Sequence, residues 1–599
     1  MSGIVSVFEN AKTVKPGKPL LVTSGGELTY GALFERTALL TGLLRKSGVS
    51  ESDRAIVSSK DDIEAAAAFI GLLRNGVAPV LLDSSLPAPE WSLLAQAAKA
   101  RCAFIDPELR ELAKKVPVVH ELGRAATKAS MLGRFLKKDR AAYPSVFEGI
   151  EPIDTPHRVD ESLDAYIMFT SGTTSRPKGV RISHKALFSH LGTLSRQFGL
   201  CGDSRILNVL PLNHADGIIQ GPLSALYNRA TVYRPFDFTI QRLTDLLDAV
   251  YRDRITHFVA VPAMLSLIRK LGQGHEDSFT TEDMKVVIST AAHLEKELWE
   301  EFEKKFSVRV SNVYGLTETV AGGLFCGPGD DRRVGTVGRP VDCEAMTVLE
   351  DGSPAPDGAS GELLIRGDNV MTGYFEDDEA TGQALKGGWL HTGDIAVRES
   401  GGFYRIAGRK KNLIITGGLN VQPEEVTGVL KAHAGVLEAV TFGVEDNIWG
   451  ELVTSCVVLS SGERAGEAEL VEWCRGRVAH YKVPQRVHVF SELPMGPSGK
   501  VIIQQAKTMA LEAGGASATA GRDLKDRVLN AAASAFKVSA TELSEYSTPA
   551  DVAGWDSLAH LQFVVALEEA FNIRLEPSDI IRIESIGEAE RTVGEKLSA

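Results

Sequence analysis

The stretch Tyr166-Ile-Met-Phe-Thr170-Ser171-Gly172-Thr173-Thr174-Ser175-Arg176-Pro177-Lys178-Gly179-Val180 joins an apolar run to a cluster of hydroxyl residues, glycines and a lysine. The apolar start predicts a buried strand. Backbone N–H groups, hydroxyls and Lys178 can together surround the oxygens of a polyphosphate. The Walker A pattern GxxxxGK[ST] is absent. The stretch therefore indicates either a different kind of phosphate loop or a solvated Ser/Thr-rich turn.

The first 400 or so residues around this stretch alternate short apolar runs with helical patterns. That alternation predicts an α/β fold in which helices cover a largely parallel sheet. The predicted strands are Ala55–Ser58, Ala78–Leu82, Ile206–Leu210, Thr256–Val261 and Val286–Ile288, and the clearest predicted helices are Tyr30–Lys46, Ile240–Arg252 and Leu294–Phe306.

Length and composition limit the class of protein. At 599 residues the chain is too long for one hydrophobic core and should divide into three or four units. A formal net charge of −13 argues against nucleic-acid binding and against anionic membrane surfaces. Apolar runs such as Ala65–Leu73 are too short to span a bilayer. Six cysteines without a CxxC pair suit reduced thiols, so we expect a cytoplasmic protein.

The pattern changes in the last third of the chain. From Met346 to Arg366 it favours strands and tight turns, with Asp351-Gly352 as a hairpin candidate. Residues 410–510 predict a smaller α+β unit. The segment 512–521 consists of small and polar residues that cannot build a core, so it predicts a flexible linker.

The tail after this linker is acidic and helical in pattern. Residues 522–599 hold 8 Lys/Arg against 14 Asp/Glu. Leu524–Phe536, Ser557–Phe571 and Ile586–Leu597 predict helices, and the second has apolar residues near one face. These features predict a small acidic helical bundle.

A series of further motifs follows the Ser/Thr-rich stretch in a fixed order. Together they resemble the superfamily of adenylate-forming enzymes, which includes acyl-CoA synthetases, nonribosomal-peptide adenylation domains and luciferases. The resemblance covers roughly residues 20–510. The motifs are Asn312-Val-Tyr-Gly-Leu-Thr-Glu-Thr319, Gly361-Glu-Leu363, Trp389-Leu-His-Thr-Gly-Asp394, Gly408-Arg-Lys-Lys-Asn-Leu-Ile414, Gly417-Gly-Leu-Asn420 and Pro497-Ser-Gly-Lys500.

The resemblance implies a binding site for ATP and Mg²⁺. The residue types are apt, since a ribose diol needs paired acceptors and a hard cation prefers carboxylate oxygen. Ser175 departs from the glycine usual in the family, but it removes no phosphate donor. The implied contacts are Thr170, Ser171, Gly172, Thr173, Thr174 and Lys178 for the β- and γ-phosphates, Tyr314 with Thr290, Ala291 and Ala292 for adenine, Thr317 for the α-phosphate, Glu318 for Mg²⁺, and Asp394 with Arg409 for the ribose.

Two lysines in the small unit have roles implied by the same resemblance. Lys500 matches the catalytic lysine that offsets the repulsion between a carboxylate and the α-phosphate. Lys411 matches the hinge about which the small domain rotates after adenylation. That rotation withdraws the catalytic lysine and brings the glycine-rich loop Gly417–Asn420 towards the incoming thiol. From the residues alone, each lysine could instead be an exposed residue of a turn or connector.

The tail contains Gly554-Trp555-Asp556-Ser557-Leu558, with Ser557 at the predicted start of a helix. Asp556-Ser557-Leu558 resembles the modification site of acyl carrier proteins, which implies a covalent 4'-phosphopantetheine on Ser557. A phosphodiester there would meet free N–H groups and the positive end of the helix dipole. The alternative is that Ser557 only caps the helix.

The identity of the acid depends on the segment Pro211-Leu-Asn-His214-Ala215-Asp216-Gly217, which resembles the lining of the acyl pocket. Related domains for α-amino acids place an aspartate at the position that Ala215 occupies here. The segment therefore favours a carboxylic acid without an α-amino group, although an alignment shifted by one residue would put Asp216 there. His214, Asp216 and Gly217 are the expected pocket residues. The compact run from Gly361 to Asp394 lacks an insertion typical of fatty acyl-AMP ligases.

These features predict a multidomain protein. We expect a large α/β adenylating domain (1–408), a small mobile α+β domain (409–511), a flexible linker (512–521) and an all-α four-helix carrier bundle (522–599). The expected activity is an acid–thiol ligase that forms an acyl-adenylate and loads its own carrier, in the biosynthesis of a secondary metabolite or modified acyl group. Expected partners are a carboxylic acid, a phosphopantetheinyl transferase, downstream tailoring enzymes and possibly CoA. The alternatives are a ligase that releases acyl-CoA and an interaction scaffold with an inactive adenylate site.

Overall fold

The computed structural model describes most of the chain, and strands and helices are numbered here in chain order. The residues outside the description are 1–2, 87, 123–144, 155–157, 171–176, 330, 411–413, 417–418, 422, 447–449, 461, 463–464, 476, 479–481, 496–500, 514–523, 537, 539–542, 550, 553–554, 556, 572 and 599.

The first large sheet has nine strands among the described residues and forms one half of the N-terminal domain. Its centre is parallel, with antiparallel strands at both ends. The order is β15-β14-β13-β12-β11-β9-β10-β1-β2. The strands are β1 Pro19–Thr23, β2 Gly26–Thr29, β9 Arg205–Asn208, β10 Thr231–Arg234, β11 His257–Ala260, β12 Val286–Ser289, β13 Val310–Tyr314, β14 Leu324–Cys326 and β15 Arg339–Pro340.

A second sheet of seven strands forms the other half, in the order β18-β8-β7-β4-β3-β5-β6. Strands β3 to β7 pair in parallel, and β7 pairs antiparallel with β8, the next strand along the chain. The strands are β3 Arg54–Ser58, β4 Ala78–Leu81, β5 Cys102–Ile105, β6 Val118–Glu121, β7 Asp164–Thr170, β8 Lys178–Ser183 and β18 Gly373–Tyr374.

Helices pack against these sheets and share their apolar core. The local sequence fixes several helix ends: the Thr29 hydroxyl accepts from the Ala32 N–H, and the Asp61 carboxylate accepts from the Ile63 N–H. The helices are α1 Ile4–Ala11, α2 Tyr30–Lys46, α3 Asp62–Arg74, α4 Ala88–Ala98, α5 His184–Phe198, α6 Ala215–Ile218, α7 Ser224–Asn228, α8 Leu243–Arg252, α9 Pro262–Leu271, α10 Lys296–Phe306 and α11 Asp378–Ala384.

An antiparallel sheet of five strands completes the N-terminal domain. The Asp351-Gly352 turn lies in the connection between its first two strands, which pair antiparallel as the sequence predicts. Gly352 has φ 81°, a left-handed conformation that glycine adopts without strain. The strands are β16 Cys343–Val348, β17 Ser360–Gly367, β19 Leu385–Lys386, β20 Trp389–Arg398 and β21 Tyr404–Arg409.

The small domain is an α+β unit, as the sequence predicts. Its mixed sheet has the order β23-β22-β25-β24, with β26 pairing parallel to β25. Helices cover both faces and enclose separate apolar clusters. The elements are β22 Ile414–Thr416, β23 Leu419–Val421, α12 Pro423–Lys431, β24 Val436–Asp446, β25 Gly450–Leu459, α13 Glu467–Arg475, β26 Arg486–Phe490 and α14 Ile503–Ala513.

The C-terminal unit has four helices among its described residues. They are α15 Leu524–Phe536, α16 Ser557–Phe571, α17 Pro577–Arg582 and α18 Ile586–Ser598. Phe536, Trp555 and Phe563 form the aromatic centre of its core, with the Phe536 and Trp555 rings stacked at 4.1 Å between centroids. Trp555 thus ties the segment before α16 to the body of the bundle.

Most predicted elements are present, with two differences. The predicted helix Ile240–Arg252 is instead a 3-10 turn, Ile240–Arg242, followed by α8 from Leu243. Helix α17 is the fourth helix of the predicted bundle, but its position was not predicted because its six residues are too few to show a helical period. No helix among the described residues is long and apolar enough to cross a membrane. All six cysteines are free thiols.

Candidate functional site

Three of the predicted site residues follow strands that end at one edge of the nine-stranded sheet. Strands β9 to β13 run parallel there, so their carboxyl ends lie at the same edge. In open α/β sheets ligands bind at this edge. The segments that follow β9, β12 and β13 carry Asp216, Thr290 and Glu318 respectively.

The first group of site residues is built around Asp394 on β20. Its carboxylate is buried, with its side chain 4% exposed, and lies 2.6 Å from the Arg409 guanidinium. Asp394 and Arg409 are direct cross-strand neighbours on β20 and β21. The Tyr314 hydroxyl, at the end of β13, donates to the other carboxylate oxygen at 2.5 Å. Burial, together with the Asp394 charge, raises the pKa of Tyr314 well above its ordinary value. Tyr314 therefore stays a neutral donor.

The second group joins Glu318, Tyr374 and Lys178. Glu318 lies in the 3-10 turn Thr317–Thr319, directly after β13. Its carboxylate accepts a hydrogen bond from the Tyr374 hydroxyl at 2.9 Å. The Lys178 ammonium lies 4.8 Å from the centroid of the same tyrosine ring. The hydroxyl of Tyr374 thus contacts the Glu318 carboxylate, and its ring contacts the Lys178 cation.

Glu318 is suited to a hard cation. Carboxylate oxygen is a preferred Mg²⁺ ligand, and Mg²⁺ commonly uses one or two carboxylates together with substrate phosphates and water. Among the described residues no group of three His, Cys, Asp or Glu side chains could hold a metal by itself. Glu318 is a residue that could hold a Mg²⁺ ion bound to the phosphates of a nucleotide.

At this edge of the sheet two backbone segments approach each other closely, and one residue has a strained conformation. Ala291, in the turn after β12, has φ 68°, a left-handed conformation that costs a non-glycine residue energy and occurs often at functional sites. A Cβ on Gly315 would lie 2.1 Å from the Gly322 nitrogen, so only glycine fits between β13 and the segment after Glu318.

Asp216 has partners within the protein. Its Oδ1 accepts from the Thr290 hydroxyl and from the Gln220 side-chain amide, both at 2.6 Å. Asp216 is 4% exposed and Thr290 2% exposed. Their hydrogen bond links the segment after β9 to the turn after β12. Asp216 thus fixes the residue that precedes Ala291.

His214 and Gly217 flank this carboxylate. The His214 Nδ1 lies 3.6 Å from the second Asp216 oxygen, and the imidazole is 51% exposed. His214 is therefore the more accessible of the predicted pocket residues. A Cβ on Gly217 would lie 2.0 Å from the Pro211 carbonyl oxygen, so this glycine is required by close backbone packing.

Several predicted site residues lie outside the described part of the chain. These are Ser171, Gly172, Thr173, Thr174, Lys411 and Lys500, together with much of the linker. Thr170 ends β7 and Ser557 begins α16, as predicted, and their side chains are not described.

The segment before the predicted hinge is held by Glu362. Lys410 donates to its carboxylate at 3.0 Å, and the His391 Nδ1 lies 3.4 Å away. Burial acts to raise the pKa of Glu362, but the hydrogen bonds from Lys410 and His391 outweigh it, and the pKa is lowered. The chain is thus anchored one residue before Lys411.

Comparison with protein families accounts for all three units. Residues 8–375 match the AMP-binding enzyme family, and residues 425–500 match the AMP-binding enzyme C-terminal domain. The chain belongs to the AMP-binding enzyme family. Residues 526–593 match the phosphopantetheine attachment site family. It is therefore an adenylate-forming enzyme fused to a carrier domain, as the motif series and the tail predict, and its expected class, an acid–thiol ligase, is confirmed.

Relatives of this AMP-binding enzyme are named as CoA ligases. The sulfoacetate–CoA ligase of Cupriavidus necator is 32% identical over 505 residues, covering 81% of this chain and 94% of the ligase. The 2-succinylbenzoate–CoA ligase of Geobacillus kaustophilus is 30% identical, covering 80% and 93%. The ATP-bound structure of MatB from Rhodopseudomonas palustris has a TM-score of 0.75 and 26% identity, covering 85% and 99%. These relatives are almost fully covered, whereas about a fifth of this chain lies beyond the two ligase alignments and about a seventh beyond the MatB alignment.

Sequence reasoning missed two contact residues of the site. Tyr374 contacts both Glu318 and Lys178. Gln220 donates a hydrogen bond to the same Asp216 oxygen that accepts from Thr290. Gly373-Tyr374 forms a two-residue strand beside β8, which is too short to be recognised from a period. Gln220 lies in a kinked helical segment between α6 and α7 whose apolar surroundings give no sign of a polar partner.

Because Asp216 is paired inside the protein, we predict that Asp216→Ala lowers stability and weakens ATP use without re-ranking carboxylic acids. Thr290 and Gln220 would lose their buried acceptor, which costs about 1–3 kcal/mol. Thermal unfolding and the KM for ATP check this, with Asp216→Asn, which keeps an acceptor oxygen, as the matched control. A changed order of preferred acids at unchanged Tm would show that Asp216 meets the substrate instead.

Proposed function

We propose that this chain activates a carboxylic acid with ATP and transfers the acyl group to its own carrier domain at Ser557. The observation that carries the proposal is the phosphopantetheine attachment match at 526–593, which follows a full adenylating enzyme in one chain. The clusters around Asp394 and Glu318 support activity, since a scaffold with an inactive site would not need to keep them. We also propose that the large domain ends at residue 408 and the small domain at residue 511.

In the first half-reaction, an oxygen of the substrate carboxylate attacks the α-phosphorus of ATP. A carbon–oxygen–phosphorus linkage forms, the bond between the α-phosphorus and the bridging oxygen breaks, and pyrophosphate leaves with the bonding electrons. Lys178 and Lys500 would neutralise phosphate charge along this path, and the Thr317 hydroxyl would donate a hydrogen bond to the α-phosphate. A Mg²⁺ ion held by Glu318 would draw negative charge onto the leaving pyrophosphate.

Nucleoside binding falls to the group around Asp394. A carboxylate offers about four lone-pair sites, so Asp394 is a suitable acceptor for the ribose hydroxyls. The Tyr314 ring lies beside it at the end of β13, where an adenine ring could stack. The turn Thr290–Ala292 would border the adenine edge, held in place by Asp216.

The second half-reaction needs a thiol. A 4'-phosphopantetheine on Ser557 would supply one. Transfer to that thiol would form a carbon–sulfur bond at the acyl carbon and break the bond to the adenylate oxygen, so that AMP would leave and the thiol proton would pass to solvent. A phosphopantetheinyl transferase must first modify Ser557, and a downstream tailoring or acyl-accepting enzyme must unload it. A secondary metabolite or a modified acyl group would be the end product.

Release of free acyl-CoA is the second candidate function. The names of the relatives favour it, since they are CoA ligases. The same site would perform the first half-reaction, and CoA would replace the carrier thiol in the second. Tethering favours the carrier, because a short flexible linker gives an effective concentration on the order of millimolar.

The acid itself is proposed by class. Ala215 stands where domains for α-amino acids place an aspartate, and Asp216 is occupied by Thr290 and Gln220. We therefore favour a carboxylic acid without an α-amino group. The relatives act, by name, on sulfoacetate and 2-succinylbenzoate, which are acids of this kind.

A direct test of the first half-reaction is acid-dependent ATP–pyrophosphate exchange with the unmodified chain. A panel should include small dicarboxylic, sulfonated, aromatic and α-amino acids. We expect exchange with at least one acid of the first three classes. Exchange with α-amino acids alone would overturn the substrate class, and no exchange with any acid would favour the scaffold.

The proposed rotation predicts that Lys411→Pro separates the two half-reactions. Proline fixes φ near −65°, which restricts the hinge. Pyrophosphate exchange should stay near the wild-type rate, while thioester formation should fall by about tenfold or more because closure steps gate such reactions. Lys410→Ala, which removes the neighbouring contact to Glu362 without fixing φ, is the matched control. An equal loss of both steps in Lys411→Pro would contradict the rotation.

A further inference from the structure

The carrier domain does not stand apart from the rest of the molecule. Helix α16 contributes Phe563, Val564 and Leu567 to the core of the carrier. Val565, on the same helix, is 5% exposed but belongs to a different apolar cluster, together with Val440 of β24 and Ala506 of α14. Helix α16 therefore buries a second apolar position, and the small domain covers it.

A second contact joins the carrier to the large domain. Ile580 of α17 packs against the large-domain core as well as against the carrier. The Gln241 side-chain amide donates to the His560 Nδ1 at 3.1 Å and to the Ile583 carbonyl oxygen at 3.3 Å. One amide NH₂ group has two donors, so both bonds can form together.

The protonation of the His560 ring is consistent with its contact to Gln241. Its Nε2 faces the Ile580 carbonyl oxygen at 3.2 Å, and a carbonyl can only accept, so Nε2 carries the proton. Nδ1 is then an acceptor with a single lone pair, which the Trp555 Nε1–H at 3.0 Å and the Gln241 amide at 3.1 Å share. Burial lowers the pKa of His560 to about 4, which keeps the ring neutral at physiological pH.

The contact of Gln241 with the carrier can be located relative to the strands that precede Thr290 and Glu318. Gln241 lies in the segment after β10, at the same carboxyl edge of the sheet as Thr290 and Glu318. Strand β10 is three places from β12, or about 14 Å at about 4.8 Å per strand. His560 lies three residues after Ser557 on α16, or about 4.5 Å along the helix axis. The contact thus joins the helix that begins at Ser557 to a segment that follows a strand of the edge from which Thr290 and Glu318 extend.

From this geometry we infer that the carrier docks in cis on the turn Ile240–Arg242 of the large domain and on the β24–α14 face of the small domain. Gln241 is the polar contact of the dock, and Val565 and Ile580 are its apolar contacts. The docked arrangement is the one from which the acyl group is transferred. Because the carrier touches both domains at once, docking also selects one orientation of the small domain. The loading role rests on the proposed function, whereas the dock itself does not.

Gln241→Ala is the variant that tests the dock, since it lies in the large domain and leaves the carrier's own core intact. Arg242→Ala is the matched control: Arg242 is on the same turn, and its side chain contacts Phe236 and Asp245 of the large domain. Val565→Lys tests the other contact, because Val565 is not part of the carrier's own core cluster.

The first readout is hydrogen exchange of the unmodified full-length chain. We expect amides in α17 and around Gln241 to exchange roughly three- to tenfold faster in Gln241→Ala, because the variant loses the bond to the Ile583 carbonyl oxygen while Trp555 still fills the His560 Nδ1 lone pair. Val565→Lys should have a larger effect, and Arg242→Ala should match wild type. Exchange in these segments that is unchanged in both Gln241→Ala and Val565→Lys would overturn the dock, whatever the protein's activity.

The second readout is single-turnover loading of the phosphopantetheinylated chain. We expect Gln241→Ala to load roughly three- to tenfold more slowly while pyrophosphate exchange stays within about twofold of wild type. If wild type loads and Gln241→Ala loads equally fast, the docked state is not the loading state. If wild type itself exchanges pyrophosphate but never gains an acyl group, self-loading is wrong, and the hydrogen-exchange comparison still decides whether the dock exists.

Discussion

Replacement of Lys500 by alanine is expected to lower acid-dependent ATP–pyrophosphate exchange by about 100-fold or more. Attack of a carboxylate on the α-phosphate brings two anions together, and a lysine beside both offsets the repulsion in the transition state. Removal of one such preorganised group costs about 3 kcal/mol. Since a charge that forms its contacts mainly in the transition state affects kcat more than KM, the loss should be seen in kcat.

The control for this variant is Lys507→Ala, which removes a lysine from α14 of the same domain. Pyrophosphate exchange at saturating ATP and acid is the measurement, and both variants should melt at the wild-type temperature. Presenting Lys500→Ala with chemically prepared acyl-adenylate should restore thioester formation on the carrier, because that step follows the use of Lys500. Wild-type exchange in Lys500→Ala would remove this lysine from the catalytic site.

Ser557→Ala is expected to abolish modification of the carrier. Incubation of wild type with a phosphopantetheinyl transferase and CoA should add one phosphopantetheine, seen by intact mass, and the variant should add none. The reason is covalent, because alanine has no oxygen to form the phosphodiester. Pyrophosphate exchange should be unchanged, since adenylation precedes any use of the thiol.

Ser585→Ala is the matched control for a purely structural effect. Ser585 directly precedes α18, and its hydroxyl accepts from the Glu588 N–H, so it caps a helix of the same domain. This variant should still accept one phosphopantetheine. Modification that persists in Ser557→Ala, or that is absent from wild type, would remove the carrier role and favour release of acyl-CoA.

The elements that sequence predicted well are those whose ends are set locally. Helix α2 runs from Tyr30 to Lys46 as predicted, since Thr29 caps its start. The predicted limits of α15 and α16 also match. The segment from Ile240 was predicted less well. It begins as a 3-10 turn, and the contacts of Gln241 are with His560 and Ile583, more than 300 residues away. A local sequence pattern cannot predict a contact between residues so far apart in the chain.

The same limit applies to the site. Motifs found Asp394 and Arg409, and the fold makes them cross-strand neighbours. Asp216 was identified as a pocket residue, but its hydrogen bond to Thr290 spans 74 residues, so its internal pairing could not be predicted. Tyr374 had no motif at all. Sequence thus located the residues with characteristic chemistry, whereas long-range packing decided what each of them contacts.

The central claim is that one chain both activates an acid and holds the product on Ser557. Intact mass of the phosphopantetheinylated protein, after incubation with ATP, Mg²⁺ and a panel of carboxylic acids, tests it most directly. The account predicts that one acid adds its own mass less one water, that peptide analysis places this mass on the Ser557 phosphopantetheine, and that hydroxylamine removes it. An unchanged protein mass, with acyl-CoA formed when free CoA is supplied, would contradict the account.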